Sequence, residues 1–241
     1  MDNNPLSGID YFLKYVITGS YAGKSSIVNR YITGIFRNQK LLTIGVEFEA
    51  KNVIINDKVY RIQIWDLCGQ ENWKSVVKSY YKGATCFLIV YDITNKETFN
   101  NLETLINESK KYSHKTTHIV LVGNMADLEE KRQVSFEEGK KFANKYGINF
   151  YETSAKTGQN INEIFLNPAK EIDKRIFQGY YNFDDEECVI IKGLGKQIKK
   201  NHDKEIKQKL ILENNNKKKL SLNNYLENHL QLDKLFKFLN Y

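Results

Sequence analysis

The chain has 241 residues, 41% of them hydrophobic, and a formal charge of +7, which allows one domain of common size with a real core and an added segment. Its longest apolar runs, such as Cys86 to Tyr91 and Ile119 to Val122, are strand-sized, and Met1-Asp2-Asn3-Asn4 opens neither a secretory signal nor a myristoylation site, so a membrane span is excluded and a cytoplasmic protein is expected. Three scattered cysteines, Cys68, Cys86 and Cys188, form neither a disulfide framework nor a zinc site, and lysines interleaved with acids do not draw a nucleic-acid footprint.

In chain order, a strand is expected at 11–18, then the loop Thr18-Gly19-Ser20-Tyr21-Ala22-Gly23-Lys24-Ser25, then a helix over 24–34. A loop ending Gly-Lys-Ser between strand and helix is a phosphate site. Its backbone N–H groups and the positive helix end surround an anion, Lys24 reaches the β and γ oxygens, and the Ser25 hydroxyl is placed to ligate Mg²⁺. Strands follow at 44–55 and 59–66, joined through Asn56-Asp57 as a hairpin turn, so the first of the two is expected as an antiparallel edge. A helix at 72–81, a strand at 85–91, a helix at 97–112, a strand at 117–123, a helix at 135–146, a strand at 148–152 and a helix at 160–177 complete the alternation. That order predicts an α/β fold whose mostly parallel six-stranded sheet carries helices on both faces. Pro168 falls inside the last helix and should kink it or end it early.

Three more motifs close apolar runs. They are Trp65-Asp66-Leu67-Cys68-Gly69-Gln70-Glu71, Asn124-Met125-Ala126-Asp127 and Ser154-Ala155-Lys156, all at the carboxyl ends of expected strands, where α/β sheets place ligands. Together with Thr43-Ile44-Gly45-Val46-Glu47-Phe48, Tyr80-Tyr81-Lys82-Gly83-Ala84 and Tyr91-Asp92-Ile93-Thr94, they make residues 10 to 177 resemble the Rab branch of the Ras-like small GTPases, with family-like spacing throughout. The resemblance implies the P-loop small-GTPase fold and a Mg²⁺-dependent GTP/GDP switch in vesicle traffic.

It also implies roles. Gly19 to Ser25, with Thr43 and Gly69, would bind the phosphates of GTP, and Ser25, Thr43 and Asp66 would serve the metal. Gln70 takes the position that orients the attacking water. Asp127 would accept the guanine N1–H and 2-amino protons, Asn124, Ser154 and Ala155 would support the same edge, and Lys156 and Phe36 would flank the ring. Singly, each has an ordinary reading: Asp127 as a helix N-cap, Phe36 as a core aromatic, Ser154 as a turn residue. Phe48, Trp65 and Tyr80 match the family's effector aromatics, with Ile44, Val46 and Trp73 adding apolar surface. An exchange factor, a GTPase-activating protein and effectors are the implied partners of a monomer.

Four departures oppose this pattern. Thr18 and Tyr21 stand where glycines are usual, Met125 replaces a bracing lysine, and Leu67-Cys68 replaces Thr-Ala beside the γ-phosphate. They support an alternative, a non-hydrolysing adaptor on a GTPase fold. The domain is expected over 1–177. Residues 178–241 form an Asn/Lys-rich extension, helical or disordered, with helical patterns at 189–213 and 220–240. No cysteine follows Cys188, so prenylation is not expected; Lys217-Lys218-Lys219 and the apolar stripe at 220–240 leave peripheral contact with endomembranes and packing on protein as alternatives.

Overall fold

The structure, a computed structural model, describes residues 8–37, 45–68, 78–185 and 188–193. Strand β1 (Tyr11–Thr18) sends Leu13, Tyr15 and Ile17 into one core and Val16 into the other, because successive side chains of a strand face opposite ways. Helix α1 (Lys24–Thr33) lies between Gly23 and Gly34, both at φ 73, a conformation a side chain would resist. Strands β2 (Val46–Ile55) and β3 (Lys58–Leu67) pair antiparallel. Asn56 and Asp57 both have positive φ, 47 and 60, the turn geometry that matches the twist of a two-residue hairpin.

Strand β4 (Cys86–Asp92) is buried along its whole length. After it come α2 (Lys96–Asn100), α3 (Leu102–Tyr112), β5 (His118–Asn124), α4 (Phe136–Tyr146), β6 (Asn149–Glu152) and α5 (Ile161–Phe177). The strands run β2-β3-β1-β4-β5-β6, all parallel except β2. One helix was expected over 97–112, and two are found. Asn95 caps the first by accepting from the Glu97 N–H, and Asn101 opens the second, its carbonyl accepting from Leu105; asparagine favours such ends over helix interiors.

Helix α5 continues through Pro168 to Phe177 and does not end early. A proline inside a helix costs about 3 kcal/mol. Against this, Ile161, Ile164, Phe165, Ala169 and Ile172 are buried on the sheet, and each large apolar side chain contributes roughly 2 kcal/mol, so the stripe outweighs the lost bond.

The chain after α5 departs from expectation. It turns at Gly179 (φ 71), buries Tyr181, Val189 and Ile190, and ends in β7 (Ile191–Lys192), antiparallel to Tyr11 and Phe12. Strand β4 meets β1 only from Tyr15 onward, so β7 fills the bare edge before it and the sheet has seven strands. The helix expected from 189 is absent through Gly193, because Val189 and Ile190 are buried in the core and Ile191 and Lys192 pair with the open edge of β1. The compact unit spans Ile9–Gly193. No helix among the described residues is long and apolar enough to cross a membrane.

Candidate functional site

The loop between β1 and α1 is set by two glycines. Gly19 has φ 136, and a Cβ there would stand 2.0 Å from the Val90 carbonyl oxygen. Gly23 has φ 73, and its Cβ would come within 2.8 Å of the Asn124 amide nitrogen. Thr18, where strain was expected, is instead the last residue of β1, paired with Ile89 and buried, its hydroxyl 3.4 Å from that of Tyr81. The need for glycine falls one residue later. Tyr21 does occupy the left-handed region at φ 47 and is 64% exposed.

Lys24 is buried, and its ammonium donates to the Gly19 carbonyl at 2.6 Å. Burial lowers its pKa, while Asp66 and then Cys68 act the other way. The Ser25 hydroxyl donates to Asp66 Oδ2. Asp66 is 2% exposed, and its Oδ1 has no hydrogen-bond partner among the described residues. Burial raises its pKa to about 6; Ser25 and Lys24 oppose the rise and Glu47 adds to it.

An orphaned buried carboxylate oxygen beside a hydroxyl is a donor set that suits Mg²⁺, which takes hard oxygens and commonly keeps one or two carboxylates together with waters and phosphate. Among the described residues no three His, Cys, Asp or Glu side chains converge on one point. A cleft of about 160 Å³, lined in part by Ser25, Asn29, Arg37, Glu47, Glu49 and Asp66, opens beside this pair.

At the carboxyl end of β5, Asn124 is 2% exposed. Its amide donates to the Ala22 carbonyl at 2.9 Å, and its oxygen accepts from the Thr153 hydroxyl at 3.1 Å. Expected along a base edge, it therefore ties the phosphate loop to the β6 loop. Met125, at φ 69, brings its methyl to 3.4 Å from where a Gly23 Cβ would be. The bracing position is thus occupied by apolar contact, without a charge. Asp127 accepts from the Ser154 hydroxyl at 2.7 Å and faces Lys156 at 3.8 Å. A carboxylate offers about four acceptor sites, so two N–H donors can still be met. Ser154 and Ala155 are buried, and Lys156 is exposed. Phe36 packs against the core cluster that includes Ile27, Val28 and Phe165.

Cys68 is buried next to Leu67, its N–H donating to Gly45 at 3.0 Å. On the opposite sheet face from Asp66, Phe48 meets Trp65 edge-on at 5.0 Å and Trp65 meets Tyr80 at 5.3 Å. Val46 is partly buried against the same core, and Phe48 stays 48% exposed. Thr43, Ile44, Gly69, Gln70 and Trp73 lie outside the described residues. Thr153 was missed in the sequence; its position directly before Ser154-Ala155-Lys156 was the available signal.

Compared with known families, the chain matches the Ras family over residues 14–174, from within β1 to within α5.

Proposed function

Because this chain belongs to the Ras family, whose members are small GTP-binding switch proteins, we propose that it binds GTP and GDP with Mg²⁺ in the β1–α1 crevice and hydrolyses GTP slowly as a Rab-like regulator of vesicle traffic. The observation that carries this reading is the Asn124 bridge. By holding Ala22 and Thr153 together, it makes the phosphate loop and the Asp127–Ser154 pair one continuous site. A ligand with phosphates at one end and a hydrogen-bonding base at the other fits that arrangement.

In this reading Lys24 exchanges the Gly19 carbonyl for phosphate oxygens, a charge-assisted contact in place of a neutral one. Ser25 and Asp66, with Thr43, would hold Mg²⁺, which when bound neutralises developing charge on the phosphates. Asp127 accepts the two donors of the guanine edge, a pair adenine does not offer. Gln70 orients the attacking water, so chemistry rests on positioning. Phe48, Trp65 and Tyr80, in edge-on and tilted ring contact, provide an aromatic face for a GTP-dependent effector. The adaptor alternative draws on Tyr21, held in a left-handed conformation within the loop, and on the bulk of Cys68.

Identification of the nucleotide released on denaturing the purified chain, followed by titration with fluorescent GDP and ADP, tests the binding step. GDP is expected to bind tighter, and equal affinity for the two overturns the guanine assignment. Single-turnover phosphate release tests hydrolysis. Gln70→Leu should slow it by roughly tenfold or more, as loss of an orienting group does. Equal rates in both chains favour the adaptor.

A further inference from the structure

The loop from Met125 to Arg132 and the turn after β6 carry the two halves of the base site and join through the Ser154 hydroxyl, the Lys156 ion pair and the Ala126 N–H to Thr153 carbonyl bond. A second, stronger link lies behind them. Arg132 Nη1 donates to one Glu152 oxygen at 2.6 Å and Nη2 to the other at 2.9 Å. The same guanidinium reaches Glu129 through Nε and Nη2, at 2.7 to 2.9 Å, and the Val134 carbonyl at 2.9 Å.

Glu152 ends β6 and lies opposite Gly123 on β5, one residue before Thr153 and two before Ser154. Its side chain is 9% exposed, that of Arg132 is 17% exposed, and that of Glu129 is 71% exposed. The Glu152 carbonyl also accepts from the Asn160 amide at 2.7 Å, which fixes the strand end from the other side.

We propose that Arg132 and Glu152 are positioning residues for guanine recognition, the forked ion pair setting the separation between Asp127 and the Ser154-Ala155 turn. This rests on the GTP reading above and deepens it. A planar guanidinium that meets both oxygens of one carboxylate fixes angle as well as distance, which a lysine ammonium does not. The pair is largely desolvated, so removing Arg132 strands the Glu152 charge, while removing Glu152 leaves Arg132 held by Glu129 and the Val134 carbonyl; either change lets the two loops move apart. Two hydrogen bonds from one base edge to one carboxylate require both to be near ideal length. Loosening the frame therefore weakens base discrimination first. Phosphate contacts, made from Gly19 to Ser25 on the other side of Asn124, are spared.

The test measures affinities for fluorescent GDP and IDP, the inosine base lacking the 2-amino donor, at a temperature well below melting for each variant. The unchanged chain should prefer GDP by about tenfold, the worth of one charge-assisted hydrogen bond. Arg132→Met and Glu152→Gln should reduce that ratio by about fivefold, Arg132→Lys should also lower it, and Glu129→Gln, at an exposed carboxylate, should leave it in place. A pair that serves stability alone would lower the melting temperature with the GDP to IDP ratio unchanged, and that result overturns the proposal. Arg132→Lys keeps the charge and guards against a variant that fails to fold. Equal affinity of the unchanged chain for GDP and ADP removes the GTP reading and this inference together, whereas equal affinity for GDP and IDP removes this inference alone. A preserved preference with an unaltered ratio in all variants removes this inference alone.

Discussion

Gly19 and Thr18 sit side by side, and their demands on the backbone are opposite. Gly19 needs a bare Cα, because its Cβ would press to 2.0 Å on a carbonyl of the neighbouring strand. Thr18 is ordinary strand, paired with Ile89 of β4 and buried, its hydroxyl beside that of Tyr81. Gly19→Ala is therefore expected to cost more than about 2 kcal/mol, since the obstacle is backbone and not a side chain that can turn away. Restoring the family's glycine by Thr18→Gly should not tighten nucleotide binding and should cost about 1 kcal/mol through lost packing and a freer unfolded chain. Thermal melts with nucleotide titrations distinguish the two, and a Thr18→Gly chain that binds GDP better than wild type would show that position 18 does limit the loop. The sequence displayed the missing glycine plainly. It did not display which residue approaches Val90, because that depends on the β1–β4 register.

At the scale of elements, the hairpin of β2 and β3 is fastened at its turn. Asp173, on α5 and 2% exposed, accepts from the Asn56 amide at 2.7 Å, from Lys58 at 3.1 Å and from the Tyr60 hydroxyl. Burial alone would raise the Asp173 pKa, but Tyr60, Asn56 and Lys58 together outweigh it and hold the carboxyl below its ordinary value of 3.8. A carboxylate depressed on folding contributes stability that is complete above that value and is lost as pH falls through the folded one. Asp173→Asn should thus lower stability by about 2 kcal/mol at pH 7, the scale of losing charged hydrogen bonds to buried partners. The gap between variant and wild type should narrow as the pH falls below 3.8, the ordinary value. Urea melts at both pH values read this, and a gap independent of pH would leave the carboxylate charge without a role. The hairpin itself was legible from Asn56-Asp57, since turn chemistry is local. Its latch was not, because the partner lies on the last helix.

For the whole molecule, the informative boundary is where the compact unit ends. Alternation of strands and helices, the phosphate loop and the motifs at strand ends were readable because each is written in a few consecutive residues, and the Ras family match covers the same stretch, 14–174. The segment 178–193 lies beyond that match and beyond the expected limit at 177, and its composition, with Asp184-Asp185-Glu186-Glu187, looks like linker. Yet Tyr181, Val189 and Ile190 enter the core, Phe183 stacks on Tyr11 at 5.9 Å, and Gly193 donates to the Asp10 carbonyl at 2.8 Å. Three buried apolar side chains contribute roughly 5 kcal/mol together, comparable with the net stability of a whole domain. A chain ending at Phe177 should therefore melt far below the full chain or fail to fold, because β1 loses its cover at Tyr11 and Phe12. A chain ending at Gly193 keeps the buried Tyr181, Val189 and Ile190 and the β7 pairing, and should melt well above the one ending at Phe177. Equal melting of the two truncated chains would mean that the β7 segment adds nothing to the core it covers. The shorter chain is consequently the wrong control for any membrane test of residues 217–240, since a loss of vesicle flotation there would report unfolding. With Gly193 as the end point, flotation of the full chain on anionic vesicles and none of the shorter one assigns membrane contact to the extension alone.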